Sequence, residues 1–162
     1  MLTQSQLKRL WHYCPETGLF TRLVKTRYGL EVGSVATVKN DQGYIIITIA
    51  RKHYRAHRLA HLYMAGEWPK HQIDHEFGIC DDNRWCNLRD VTQSVNMQNQ
   101  RNPHRDNKSG YQGVCWSKEK FKWMARISVN NKDIFLGYFD CKHQAGAYRL
   151  QKKRELHEGC TI

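Results

Sequence analysis

Between residues 73 and 100, five side chains with chemical potential fall close together: Asp74, His75, Asn87, Asn96 and Asn99. Asp74 offers a hard anionic oxygen and Asn96 a neutral one. So few protein ligands, with places left for water and phosphate oxygens, is how a magnesium-like ion is held. The imidazole of His75 titrates near neutral pH and can take a proton from an attacking water. Asn87 can hold the other ring nitrogen and fix its tautomer. These residue types point to metal-assisted hydrolysis, with His75 and Asn87 as the catalytic pair and Asp74 and Asn96 as metal ligands.

The elements that must position them read as strand, loop, strand, helix. A short extended segment ends in Asp74-His75, and extended backbone sends those two side chains to opposite sides. A polar loop follows, with Gly78 and three Asp/Asn at 81–83. Leu88 to Val91 is a second extended segment. Thr92 then caps a helix whose apolar contacts come from Val95 and Met97. The stretch resembles the HNH nuclease motif of the phage and homing-endonuclease type, in an H-N-N variant carried by His75, Asn87 and Asn96. Asp74 matches the acidic metal ligand. Asp82-Asn83-Arg84 and Asn87-Leu88-Arg89 match the family's D-N-R-x-x-N-L-R run. The resemblance implies hydrolysis of double-stranded DNA, nicked or cut, with Mg2+ (or Mn2+) on Asp74 and Asn96. Two other readings stand beside it: a DNA-binding regulator with an inert nuclease fold, and asparagines that merely satisfy turns and caps.

Composition agrees with a polyanionic partner. The 162 residues hold 26 Lys+Arg against 15 Asp+Glu, a formal charge of +11, and nucleic acid is the soluble polyanion such an excess attracts. No apolar run approaches the roughly 18 residues of a membrane span, and the first residues hold no apolar signal core. The six cysteines show no C-x-x-C pair, so reduced thiols in a cytoplasm are expected, that of a bacterial host if the chain is phage-encoded. Cys80 and Cys86 could approach each other and hold zinc with His71, so a structural zinc protein is a further reading, but no structural zinc is expected.

In chain order, Thr3 to Gln6 reads as a capping box opening a helix with Leu7, Leu10 and Trp11 on one face. Pro15 to Gly18 turns into a strand at Leu19 to Val24. A basic loop with Lys25, Arg27 and Tyr28 leads to a short strand at Ser34 to Val38. Tyr44 to Ala50 is a β-branched strand, Arg51-Lys52 a tight turn, and His53 to Ala56 its partner. His57 to Ala65 is a helix stopped by Gly66. Its His57 and His61 are four apart, but Arg58 replaces the glutamate of a zinc helix, so packing or hydrogen bonding is their expected role. Residues 101–109 read as a linker, dividing a nuclease domain at 1–104 (ββα core about 70–101) from a second domain at 105–162.

In the second half, Tyr111 to Trp116, Lys122 to Val129 and Asp133 to Phe139 read as strands, with a hairpin at Asn130-Asn131. Trp123, Ala125, Ile127 and Val129 alternate with Lys122, Met124, Arg126 and Ser128, the first set facing the core. Lys142 to His157 is a helix with Ala145, Tyr148 and Leu156 inward and Gly159 past its end. Ser109-Gly-Tyr-Gln-Gly-Val114, Trp123-Met-Ala-Arg-Ile127 and Leu136-Gly-Tyr-Phe139 resemble the Apetala-two DNA-binding domain of plant ethylene-response factors. That resemblance implies DNA contacts from Gln112, Trp116, Lys118, Lys120, Lys122, Arg126 and Ser128. The arginine of the family's opening is Gln112 here, so the family's target sequence does not carry over. The whole is expected to be α+β: a small N-terminal sheet, the ββα unit, a linker, and a three-stranded antiparallel sheet on one helix. A monomer is expected.

Overall fold

Thr3 caps the first helix, α1 (Gln4–Leu10), with the reciprocal box read from the sequence. Its hydroxyl accepts from the Gln6 N–H at 3.3 Å, and Gln6 Oε1 accepts from the Thr3 N–H at 3.1 Å. The helix ends at Leu10, well short of the Pro15–Gly18 turn expected to stop it. Trp11 is extended and opens β1 (Trp11–Tyr13), which pairs antiparallel with β2 (Phe20–Arg22). Period two buries Trp11 and Tyr13 with Phe20 in one core, and that burial outweighs the helical spacing of Leu7, Leu10 and Trp11. The computed structural model describes residues 1–25, 31–100, 103–130, 132–157 and 160, and these fall in two compact units, Met1–Thr92 and Gln93–Ile162. Arg27 and Tyr28 of the expected basic loop lie outside the described residues.

In the first unit the strand expected at 34–38 is reduced to isolated bridges, Thr21 with Val35 and Lys39 with Ile45. The β-branched run becomes β3 (Ile46–Ile49), paired with β4 (Lys52–Arg55). Their turn places Ala50 (φ 49) and Arg51 (φ 64) in the left-handed region, the geometry that matches strand twist but that non-glycine residues adopt at a cost. Helix α2 (Ala56–Ala65) ends at Gly66, φ 84, as expected. Gln4 Nε2 donates to Tyr63 O at 2.7 Å and Trp68 Nε1 to Leu2 O at 3.0 Å, fastening α1 and its lead-in to α2 and the residues after it. Leu7, Trp11, Tyr13, Phe20, Ile47, Leu59 and Leu62 form the core. The unit closes with β5 (Gln72–His75), a 3-10 turn at Trp85–Asn87 and β6 (Leu88–Val91), β5 and β6 being antiparallel.

His57, at the start of α2, is 3% exposed, and its Nδ1 is buried without a hydrogen-bond partner among the described residues. Burial, then the neighbouring His75 and the charges of Arg55 and Arg58, push its pKa down to about 3.

The second unit begins with α3 (Gln93–Gln98), so the strands and the helix of the expected ββα stretch fall in different units. Arg101 and Asn102 of the expected linker lie outside the described residues. Part of the rest is built: Asn107 Oδ1 accepts from the N–H groups of Ser109 and Gly110, and its Nδ2 donates to Tyr111 O. Strands β7 (Val114–Ser117), β8 (Lys122–Val129) and β9 (Lys132–Phe139) form an antiparallel sheet in that order, with a register shift at Ala125/Arg126. Ala125 and Ile127 are buried while Lys122, Arg126 and Ser128 are exposed, the alternation read from the sequence. Helix α4 (Lys142–Leu156) packs on the sheet through Ala145, and Gly146 lies against the Tyr111 ring. Tyr148 and Leu156, expected inward, are 36% and 39% exposed. The inner face follows Ala145 and Lys153, and Tyr148 sits at its flank with its ring 5.5 Å from Phe139. Asn131 and Gly159 lie outside the described residues. Among those described, no helix is long and apolar enough to cross a membrane.

Two measurements test this packing. Gly18 has φ +73, and a Cβ there would stand 2.5 Å from Arg84 N. Gly18→Ala is expected to lower unfolding free energy by roughly 2 kcal/mol or more in urea titration, combining left-handed strain and overpacking. Because the unfolded His57 ring binds a proton below about pH 6.5 and the folded one only near about 3, stability falls as pH drops through that window. His57→Phe is expected to flatten the acid-side fall in urea midpoint between pH 7 and 4.5.

Candidate active site

The site is built on the β5–β6 pair and the loop it closes. Asp74 stands opposite Arg89, and His75 opposite Leu88. Arg89 donates to Asp74 Oδ2 at 2.5 Å, and both side chains are largely buried. The contact is a charge-assisted hydrogen bond between guanidinium and carboxylate. The neighbouring acids are also matched: Asp82 accepts from Arg84 Nε at 2.8 Å and an Arg84 terminal nitrogen at 2.6 Å, and Asp81 from Lys39 Nζ at 2.6 Å. Those bonds hold the Asp81 and Asp82 carboxyls below their usual range.

His75 is 5% exposed and lies among rings. His57 meets it edge-on, centroids 5.0 Å apart at 86°, and Tyr44 lies 5.7 Å from it and 5.1 Å from His57. His75 Nε2 is 3.5 Å from Asn83 Oδ1, at the limit of a hydrogen bond. As the amide is oriented, the proton sits on Nε2 and the lone pair on Nδ1. Burial lowers the pKa of His75, against the Asn83 contact and the charges of Asp74, Asp82 and Asp81, which act upward. The ring is therefore neutral at pH 7, the form a base requires.

Asn87 takes a different part from the one expected. It is fully buried; its Oδ1 accepts from the Phe77 N–H and its Nδ2 donates to Asp82 O, both at 2.7 Å. Its carboxamide ties the two sides of the loop together, and the amide facing His75 is Asn83. The loop is also held from outside. Tyr13 donates its hydroxyl to Asn83 O at 2.7 Å, and Trp85 N–H reaches Pro15 O at 2.9 Å. Burial pushes the Tyr13 phenol pKa up, so it stays a donor.

Asp74 and His75 are thus brought together in the first unit; Asn96 and Asn99 belong to the second, where Asn99 is 5% exposed. Asp74 fits a divalent ion in chemistry, as a hard carboxylate oxygen. Among the described residues no three His, Cys, Asp or Glu gather as a metal cage. In the C-terminal unit Lys122, Arg126 and Ser128 share the exposed face of β8, joined across the register by Phe135 and Tyr138. Lys122 pairs with Asp140 at 3.0 Å, Arg126 approaches Asp133 at 3.9 Å, and Ser128 bonds Asp133. Lys118 and Lys120 are exposed beyond β7, and Trp116 is 46% exposed beside Trp123. Gln112 instead accepts from Arg149 at 3.2 Å.

Sequence reasoning missed three residues here. Asn83 lay inside the quoted D-N-R run without a role. His57 stood out only as a histidine with a packing role. Tyr13 gave no signal at all, being distant in the chain.

No curated protein and no solved structure matches the chain. A family model described as HNH endonuclease matches residues 54–98, a span that contains His57, Asp74, His75, Asn83, Asn87 and Asn96. At the level of that family, residues 54–98 are similar to a nuclease domain that hydrolyses DNA.

Proposed function

We propose that the chain is a metal-dependent endonuclease of the phage or homing type that nicks or cleaves double-stranded DNA. One observation carries the reading: a buried, neutral His75 aligned by Asn83 beside an Asp74 paired with Arg89, within the segment similar to HNH endonucleases. His75 Nδ1 accepts a proton as a water oxygen bonds to phosphorus and the bond to the 3′ oxygen breaks, leaving 5′-phosphate and 3′-hydroxyl ends. Asn83 holds the ring, and His57 and Tyr44 wall it in. Asp74 would hold the divalent ion, Mg2+ or Mn2+. When bound, such an ion supplies Lewis-acid stabilisation of the phosphate and of the leaving oxygen.

The C-terminal sheet, Apetala-two-like in its motifs, would grip DNA beside the cut through Lys118, Lys120, Lys122, Arg126, Ser128 and Trp116, raising the local concentration of the nuclease. Gln112, bonded to Arg149, would shape the start of that domain. With domains at 1–104 and 105–162, a monomer acting in a bacterial cytoplasm would mainly nick, since one centre addresses one strand.

Supercoiled plasmid tests this directly. Cleavage is expected with Mg2+ or Mn2+ and none with chelator. His75→Ala is expected to lower the rate by about 10²–10⁴-fold with duplex binding unchanged; cutting at the wild-type rate would sink the assignment. Asn83→Ala is expected to lower kcat by about 10-fold, the scale of losing a residue that orients a functional ring, with little change in KM. A wild-type chain that binds DNA but never cuts it under any divalent ion would favour the regulator reading.

A further inference from the structure

Trp11 and Arg22 face each other across β1 and β2, and the Arg22 guanidinium lies 4.3 Å over the Trp11 ring. Arg22 Nε is buried with no acceptor among the described residues. The pair stands on one wall of an open groove of about 960 Å3, with residues 34–40 as its second side and the β3–β4 hairpin as its third. That volume is at the top of the roughly 300–1,000 Å3 range of small-molecule sites, and the space is partly open to solvent. Val35, Val38, Ile46 and Ile47 give it an apolar floor, and Arg22, Lys39 and Arg51 stand on it; none of its lining residues is Asp or Glu.

An apolar floor beside Arg22 and Arg51, with Lys39 already paired to Asp81, suits a chain that is apolar on one side and anionic on the other, which describes deoxyribose and phosphate. Arg51 is exposed at the tip of the β3–β4 turn. Arg22 is desolvated, which lowers its pKa and favours any anion that arrives. At the far end Lys39 is bonded to Asp81 of the loop that holds Asn83 against His75. Lys39 thus ties the edge of the groove to the loop that faces His75 within the same unit.

We propose that this groove is a further contact surface for duplex DNA, with Arg22 and Arg51 on the phosphates of a strand leading to the His75 loop. This rests on the reading of the chain as acting on DNA, but it is separable from cleavage. The experiment measures binding of the full chain to a fluorescent duplex, with chelator present so that no cutting is needed, over a series of salt concentrations. Arg22→Gln/Arg51→Gln is expected to reduce the slope of log K against log salt by about 1.8, two phosphates at about 0.9 each, and Val38→Glu, at a 71% exposed site, to weaken binding about tenfold without altering the thermal midpoint. Lys8→Gln/Arg9→Gln on α1 is the charge-matched control and is expected to leave the slope unchanged. An unchanged slope in Arg22→Gln/Arg51→Gln overturns the proposal, as does an equal loss in the control. So does binding of a poly-glutamate peptide that the double substitution abolishes while duplex binding persists, which would assign the groove to an acidic protein. Plasmid cleavage by the wild type is scored separately: a reduced slope with no cleavage keeps the groove and removes the nuclease reading, and cleavage with an unchanged slope does the reverse.

Discussion

The carboxamide of Asn87 is the constraint on which the site depends. It joins the Phe77 N–H to the Asp82 carbonyl across the loop, fully buried, with both bonds at 2.7 Å. Without it, two part-buried backbone groups would lose their partners, at a cost below the roughly 1–3 kcal/mol of a fully buried unsatisfied group. The loop would also regain the conformational freedom that closure removes. Asn83 reaches His75 only because that clasp sets the path of residues 76–87. The clasp is reinforced by parts of the chain remote in sequence: Tyr13 on Asn83, Pro15 on Trp85 and Lys39 on Asp81. The N-terminal hairpin is thus part of the machinery that aims a histidine some sixty residues later, which is why its tight turn at Gly18 presses against the Asn83–Arg84 backbone.

Much of this was legible beforehand because it depends on short-range rules. The capping box, the stop at Gly66, the two extended segments flanking a polar loop, and the alternation along β8 are set by neighbours a few residues apart, and the structure has them. What was not legible depends on pairing at a distance. Trp11 fits a helix face by spacing and a strand by tertiary burial, and only the arrival of Phe20 decides between them. Likewise, the run D-N-R-x-x-N-L-R supplies two asparagines four apart, and residue type alone does not say which faces the imidazole. The structure gives the ring to Asn83 and the loop to Asn87.

The electrostatics of the loop follow a consistent scheme. Asp74, Asp81 and Asp82 could hold a proton on His75, yet each is matched by its own cation: Arg89, Lys39 and Arg84. Their upward pull is thereby reduced, and burial among His57 and Tyr44 prevails, so the ring is left neutral. A solvated histidine in the same loop would be partly protonated near pH 6.5 and less ready as a base. Ring packing and acid–cation pairing act together on one protonation state.

The same pairing rule bears on where the positive excess of +11 can act on a polyanion. On the C-terminal sheet Lys122 and Arg126 already have Asp140 and Asp133 nearby, but those groups are well exposed. Exposed pairs contribute little and are screened by salt, so a phosphate can replace the carboxylate at small cost. In the N-terminal groove Arg22 and Arg51 have no carboxylate among the lining residues, and an incoming phosphate displaces nothing. One surface exchanges partners and the other gains one, so the two differ in what DNA must disrupt to bind. Affinity that survives added salt poorly is then expected to reside more in the groove than in the sheet, whose contacts also include the exposed rings of Phe135 and Tyr138.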